Sequence, residues 1–440
     1  MITEGINAFR NKRVLLLQGP LGPFFRRLAC DLENIGAKVF KVNFNGGDWF
    51  FYPTRAINYR GDLEAWPDFF ERLLTELSID VVFLFGDCRP IHKLAHEIAN
   101  RHGVEIGVFE EGYIRPDYIT LERYGVNGNS LIPRNQGYYF NVEPVKNEFE
   151  KVGNTFWYAA LWAALYYLAG SILWPCFHRN RHHRPLSFLE TWPWVKSVWR
   201  KGYYAIREYG ILDRLKGPLA KKFFLVPLQV HYDAQIHIHS KFNSVHDYIS
   251  EVIASFAAHA PKDTILVLKH HPMDRGYIDY SSLIGKLVCK YCLENRCFYI
   301  HDQNLPALLK RTRGVVVINS TVGLSAIHHG APVKVCGIAI YDIKGLTYQG
   351  SLDRFWNESS SFASNHGLYV RFRSFIIRRT QLNGSFYKRL HLNKMHSGIR
   401  WKETNYPEPE NVDRKDPVNI PEICERNLKN KELAFRLIQK

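Results

Sequence analysis

A strand–helix alternation that runs twice, and ends strand after strand in a polar motif, constrains this chain more than any other feature. Val14 to Leu17 reads as a short apolar strand, Gln18-Gly19-Pro20-Leu21-Gly22-Pro23 as its exit turn, Phe24 to Ile35 as a helix and Ala37 to Asn43 as the next strand. Pro67 to Leu77 is helical, and Val81 to Phe85 is a strand leaving through Gly86-Asp87-Cys88-Arg89-Pro90. Ile91 to His102 is the following helix, and Glu105 to Phe109 the strand that delivers Glu110 and Glu111. This rhythm specifies an α/β fold with a doubly wound parallel sheet. The first turn is neither GxGxxG nor GxxxxGK[ST], so dinucleotide and P-loop ATP binding gain no support.

The same rhythm returns after residue 221. Strands are expected at Phe223 to Pro227, Thr264 to Lys269, Cys297 to Ile300, Gly314 to Ile318 and Pro332 to Cys336. Helices are expected at His246 to His259, Tyr280 to Leu287, Leu305 to Lys310 and onward from Thr321 through His328. The strand exits carry His270-His271-Pro272, His301-Asp302 and Asn319-Ser320-Thr321. Ligands of open α/β sheets bind beyond the carboxyl ends of the strands, so two such units imply a cleft between two Rossmann-like domains. The expected organisation is 1–145 for the first domain, 146–220 for an aromatic and basic insertion, 221–390 for the second domain, and 391–440 for a polar tail with a helix near Pro421 to Ile438.

The insertion is the odd piece. From Asn154 to Phe177 there is no charged residue and a high density of aromatic ones. Such a run is long enough to span a bilayer, but a span would put the two halves of one cleft on opposite sides of it. Gly170, Ser171 and Pro175 interrupt the run, which also suits a buried or amphipathic hairpin. The basic flank His178-Arg179-Asn180-Arg181-His182-His183-Arg184, followed by Trp192, Trp194 and Trp199, favours an element lying in the interface of an anionic membrane surface.

Charge and cysteine usage narrow the classes further. The 440 residues carry 58 Lys+Arg against 42 Asp+Glu, a formal net charge of +16. A basic chain suits nucleic acid, anionic lipid or anionic substrates. The charge is spread along the chain and no nucleic-acid module is recognisable, so nucleic acid is not an expected partner. Eight cysteines without regular spacing read as reduced thiols. Cys289, Cys292 and Cys297 lack a fourth ligand, so no metal is expected. The N-terminal residues contain no apolar signal region, which places the chain in the cytoplasm or on a membrane facing it.

Acid at the tip of one strand, with cations and hydroxyls at the tips of others, suits sugar transfer from a nucleotide. Successive strand residues point opposite ways, so one of Glu110 and Glu111 faces the cleft and the other is structural, paired with an arginine. His271 precedes a proline and is held extended, and with Lys269 and Arg275 it can present cations and an imidazole to a phosphate. Ser320 and Thr321 precede a helix, where hydroxyls and free N–H groups serve as an anion site, as a simple N-cap, or as both. Asp302 can accept bonds from ribose hydroxyls or cap the helix that follows.

Five stretches, in this order, resemble the bacterial capsule polysaccharide biosynthesis family, specifically its KpsS/LipB-like β-Kdo transferases. They are Phe109-Glu110-Glu111-Gly112-Tyr113-Ile114-Arg115-Pro116-Asp117, Val226-Pro227-Leu228-Gln229-Val230, Lys269-His270-His271-Pro272-Met273-Asp274-Arg275-Gly276, Ile318-Asn319-Ser320-Thr321-Val322-Gly323 and Gly345-Leu346-Thr347-Tyr348-Gln349-Gly350. The resemblance covers roughly residues 13 to 390. The acidic, His-Pro and Ser/Thr trio is also similar to bacterial sialyltransferases that use CMP-sugars on a GT-B fold. Those enzymes often carry Asp in the acidic motif where this chain has Glu110 and Glu111, which leaves the active carboxylate open.

The resemblance implies a GT-B-like architecture, CMP-Kdo as donor, a phosphatidylglycerol-type lipid as acceptor and no cofactor. It implies that His271, Ser320 and Thr321, with Lys269, hold the CMP phosphate, and that Asp302 serves the ribose or cytosine. Gln18, Gly19, Arg115, Gln229 and Arg275 are the implied further substrate contacts. Donor and product are both β-linked, so the family reaction retains configuration, which favours Glu110 or Glu111 as nucleophile. The implied setting is the cytoplasmic face of the inner membrane, beside a partner Kdo transferase and the capsule export machinery. The competing expectations are another CMP-sugar transferase of sialyltransferase type, and a non-catalytic scaffold of capsule export.

Overall fold

The apolar runs are strands of two separate sheets. The computed structural model describes residues 5–145, 149–177, 191–390 and 395–401. Within it the strands are β1 (Arg13–Leu16), β2 (Lys38–Asn43), β3 (Ile57–Asn58), β4 (Val81–Phe85), β5 (Glu105–Glu111), β6 (Tyr118–Arg123), β7 (Phe223–Pro227), β8 (Ile265–Lys269), β9 (Cys297–Ile300), β10 (Gly314–Val317), β11 (Val333–Val335) and β12 (Gln381–Asn383). The first sheet has the order β12-β6-β5-β4-β1-β2-β3 and the second β11-β10-β7-β8-β9.

All pairings in the second sheet are parallel. Every residue of β7 and β8 is buried, as expected where helices cover both faces. One face packs against Val245–His259 through Ile249, Val252 and Phe256, and the other against Leu308 and Leu324. Burying one such side chain is worth about 1.5–3 kcal/mol before ordering costs.

The first sheet departs from the purely parallel expectation along one edge. β1, β2, β4 and β5 are parallel, but β6 returns antiparallel to β5, and β12 adds antiparallel to β6. The turn into β6 depends on Gly112, where a Cβ would lie 1.9 Å from the Tyr118 carbonyl oxygen. The arrival of β12 means that the chain visits the second half and then comes back to complete the first.

The insertion is not one hairpin but two helices mounted on different halves. Phe156–Ile172 packs on the first half by its small and polar face. A Cβ at Gly46 would lie 2.5 Å from the Ala169 carbonyl oxygen, and one at Gly47 2.6 Å from the Tyr166 ring. Gly170 and Ser171 do not break this helix; the Ser171 hydroxyl bonds back to the Tyr167 carbonyl at 2.9 Å. Thr191–Arg207 docks on the second half. There Arg200 donates to the Arg275 carbonyl (2.8 Å), and Tyr204 stacks on His301 with centroids 3.4 Å apart. Among the described residues no helix is long and apolar enough to cross a membrane. The basic flank at 178–184 and the tail helix expected at Pro421 to Ile438 lie outside the described residues.

Candidate active site

Glu110 and Glu111 are the last two residues of β5 rather than part of its exit loop, and the pleat sends them to opposite faces. The backbone N–H of Glu111 donates to Glu110 Oε1 at 2.9 Å. The Glu110 carboxyl sits over the exit of β4, where a Cβ at Gly86 would lie 3.7 Å from its Oε2. Burial pushes its pKa up to about 7, the charges of Glu111 and Asp87 add to the rise, and the Glu111 N–H and Arg115 oppose it. Glu111 accepts a 2.8 Å bond from the Tyr387 hydroxyl, so its partner is a tyrosine where an arginine was expected. Gln381 Oε1 accepts the N–H of Tyr113 (3.0 Å) and of Ile114 (3.4 Å). The late-returning segment therefore braces the acidic motif from behind.

At the tip of β8, Lys269 is buried and its pKa is lowered by burial. His271 Nδ1 accepts the Met273 N–H at 3.2 Å, which leaves Nε2 to carry the proton of the neutral ring. Burial, Lys269 and Arg115 push the His271 pKa down to about 4. His271 is thus a neutral Nε2–H donor at physiological pH. Arg115 belongs to the first half yet acts on His271 as well as on Glu110. The two halves also touch directly, with Cys88 Sγ 3.6 Å from His239 Nε2.

Thr321 makes no side-chain capping bond to its helix. It lines a pocket with Tyr113 and Asn127 of the first half and Asn319, Leu324 and Tyr341 of the second. The Ser320 hydroxyl accepts the Val322 N–H at 3.3 Å, and its carbonyl accepts the Tyr341 hydroxyl. Gln229 donates to Asp233 and Asn319 (both 3.0 Å), tying the exit of β7 to that of β10. The structure therefore brings Glu110, Arg115, Lys269, His271 and Thr321 to the facing strand ends.

The remaining candidates are engaged with protein groups. Asp302 receives Arg275 Nη1 (2.6 Å to Oδ2), while Arg275 Nε donates to the Ser197 carbonyl at 2.9 Å. That pair fastens helix Thr191–Arg207 to the tip of β9. Gln18 is buried among Arg89, Asp48 and Tyr166. Gly19 leaves room for the Phe25 ring, which a Cβ would approach to 2.8 Å.

Sequence reasoning passed over a further constellation. His231, just beyond β7, bonds Asp274 Oδ1 through Nδ1 (2.8 Å), and its backbone N–H donates to Oδ2 (2.7 Å). The Asp274 side chain is 1% exposed against 33% for His231, so the carboxylate fixes a ring whose other edge meets solvent. Such a dyad can relay a proton. Its two members are 43 positions apart, a separation no local pattern reveals, although His231 adjoins one stretch quoted above and Asp274 lies within another.

Two Rossmann-like halves, one offering a half-buried carboxyl and the other cations and a neutral imidazole at the facing strand ends, make a GT-B-like α/β fold. The model of the family described as capsule polysaccharide biosynthesis protein matches residues 80–387. The chain belongs to that family. It is 42% identical over 387 residues to the capsule polysaccharide export protein KpsS of Escherichia coli, covering 86% of this chain and 97% of that protein. It is 40% identical over 395 residues to the capsule polysaccharide modification protein LipB of Neisseria meningitidis serogroup B, covering 86% and 92%. The solved structure of the KpsC β-Kdo 2,7 transferase from Thermosulfurimonas dismutans is similar at 17% identity and a TM-score of 0.39, covering 84% of this chain and 92% of that one.

Proposed function

We propose that this protein is a retaining glycosyltransferase that moves β-Kdo from CMP-Kdo to a phosphatidylglycerol-type lipid, without a cofactor. The observation that carries this reading is Arg115, whose charge acts on both Glu110 and His271. One cation thus acts on a carboxyl of the first half and on an imidazole of the second, which a sugar ester of a nucleoside phosphate would bridge.

In the proposed reaction the ionised Glu110 attacks the anomeric carbon of Kdo. The bond from that carbon to the CMP phosphate oxygen breaks, and its electron pair leaves with the phosphate. His271 Nε2–H, Lys269 and the Thr321 hydroxyl receive the growing negative charge. A lipid hydroxyl then attacks the same carbon from the face that CMP vacated, releasing Glu110, and its proton passes to the CMP phosphate at hand there. Two inversions give net retention. Glu111, held by Tyr387, positions the strand rather than reacting.

Exposed apolar faces on both insertion helices support a lipid acceptor. Phe156, Trp157, Leu161 and Ile172 on one helix, and Trp192, Val198, Trp199 and Ile206 on the other, are exposed, with Trp157 at 76% and Ile206 at 81%. Large solvent-facing apolar surface beside a net positive chain fits peripheral binding to an anionic leaflet. The proposed location is the cytoplasmic face of the inner membrane, with a second Kdo transferase and the export machinery acting on the product.

The test is incubation of purified protein with CMP-Kdo, generated in situ, and short-chain phosphatidylglycerol, read by mass spectrometry. A mass gain of one Kdo, lost in Glu110→Gln and reduced in His271→Ala but kept in Glu111→Gln, supports the assignment. Absence of product with every CMP-sugar tried, from folded protein, refutes transfer and leaves a scaffold of capsule export.

A further inference from the structure

Arg89 closes the exit loop of β4 and has no part in the reaction outlined above. Its Nη1 donates to Gln18 Oε1 at 2.6 Å, and its guanidinium lies 5.5 Å from the centroid of Phe85. Among the described residues it forms no ion pair, and the Gln18 carbonyl is its one hydrogen-bond acceptor. A half-buried guanidinium has five N–H donors and a fixed charge, and with one neutral acceptor in the protein its remaining donors open to solvent, where an anion can reach them.

Its surroundings indicate what it awaits. Gln18 Nε2 lies 3.3 Å from both Asp48 Oδ2 and the Tyr166 hydroxyl. That hydroxyl donates to Asp48 Oδ1 (3.0 Å) and accepts from Asn45 (2.7 Å). Tyr166 belongs to helix Phe156–Ile172, so a single glutamine separates Arg89 from the element bearing the exposed Phe156, Trp157, Leu161 and Ile172. On its other side, three residues back along the loop, Gly86 lies against the Glu110 carboxyl. Arg89 therefore sits between the docked face of that helix, on the side away from its exposed residues, and the Glu110 carboxyl.

We propose that Arg89 grips the phosphodiester of the lipid acceptor and seats the headgroup between helix Phe156–Ile172 and Glu110. This rests on the lipid-transfer reading above. The charged and phenolic groups acting on Arg89 are Asp48, Glu110, Tyr166 and Tyr167, all on the first half or its docked helix. The donor phosphate is assigned to Lys269 and His271 of the second half, so the two anions have separate cations. A guanidinium fork meets two phosphate oxygens at once, which an ammonium cannot do. In phosphatidylglycerol the free glycerol hydroxyls lie beyond the phosphate, so a phosphate held at Arg89 directs a hydroxyl toward the cleft.

The test titrates full-length protein with monomeric dihexanoyl phosphatidylglycerol, with an uncharged 1-O-alkylglycerol carrying the same terminal diol, and with CMP. Arg89→Gln weakens phosphatidylglycerol binding roughly 10- to 100-fold, the range of a lost charge-assisted hydrogen bond, and Arg89→Lys falls between. Alkylglycerol and CMP affinities stay at wild-type values. Both variants are checked by thermal unfolding, and Arg89→Lys keeps a donor for Gln18 if Arg89→Gln fails to fold. Three results overturn the proposal: CMP affinity falls in parallel, both lipids weaken together, or wild type binds phosphatidylglycerol no better than alkylglycerol. Arg89-dependent lipid binding without sugar transfer by wild type leaves the proposal standing and refutes the transfer reading instead.

Discussion

Replacing Glu110 with glutamine separates a group kept for chemistry from one kept for stability. Its carboxyl titrates at about 7 in the folded protein against an ordinary 4.5. Between those values the folded state holds a proton that the unfolded state has released, so stability falls as pH rises through the window and is flat above it. Ionising a carboxyl displaced that far costs the fold about 3 kcal/mol at most, and solvent access at the cleft trims this. Glu110→Gln keeps an acceptor for the Glu111 N–H and removes the charge. We expect a variant more stable than wild type by about 2 kcal/mol at pH 8.5 and equal to it at pH 4.5, with transfer abolished. Urea unfolding at the two pH values measures it. Glu111→Gln, whose amide oxygen can still accept from Tyr387, serves as the control and gains only the smaller share that its charge contributes to the Glu110 shift. An equal effect of Glu110→Gln at both pH values, or a full-strength transferase, would refute the reasoning.

Other consequences are open to direct measurement. His271→Ala lowers kcat by about 10²–10³-fold, as loss of a preorganised donor to a developing anion does. The wild-type pH profile of kcat/KM should rise through about pH 7 with Glu110 and carry no limb from His271, which is pushed down to about 4. Gly276→Ala puts a Cβ 1.9 Å from the Pro193 carbonyl oxygen; it displaces helix Thr191–Arg207 and costs about 2–3 kcal/mol or more in urea unfolding. Changing Trp157, Ile172, Val198 and Trp199 together to serine abolishes co-sedimentation with anionic vesicles and leaves Tm at or above the wild-type value. Dialysis against a chelator leaves transfer at its original rate, and a loss restored by added divalent cation would sink the cofactor-free mechanism.

What could be read from residues alone was what depends on short range. β7, β8 and β10 announce themselves as continuous apolar runs because both faces are covered, and the polar exits of β8 and β10 place Lys269, His271 and Thr321 at one edge of the sheet. The raised pKa of Glu110 was not legible, since its largest cause is burial at the cleft and Asp87, from the loop after β4, adds to it, although its neighbour Glu111 also acts on it. β12 escaped because three residues carry no periodicity; what makes Gln381–Asn383 a strand is its pairing with Tyr118 to Thr120. Asp302 read as a ribose ligand because it ends a strand, yet its oxygens are occupied by Arg275, 27 residues earlier. The aromatic insertion was visible as composition, while its division between two halves rests on contacts such as Gly46 with Ala169 and Gly276 with Pro193.

The return of the chain to its first sheet bears on how the molecule is made. Glu111 is held by Tyr387, and the N–H groups of Tyr113 and Ile114 by Gln381. During synthesis the acidic motif emerges early, and its brace leaves the ribosome some 270 residues later. The second half, whose sheet runs from β7 to β11 without a strand from elsewhere, can close first, while the older half waits with one edge unpaired. A ribosome stalled before residue 381 therefore displays a complete second sheet and an unbraced acidic strand. The acidic motif is braced only once the residues from Gln381 to Tyr387 have emerged, so an unfinished chain lacks the carboxylate geometry of the complete one.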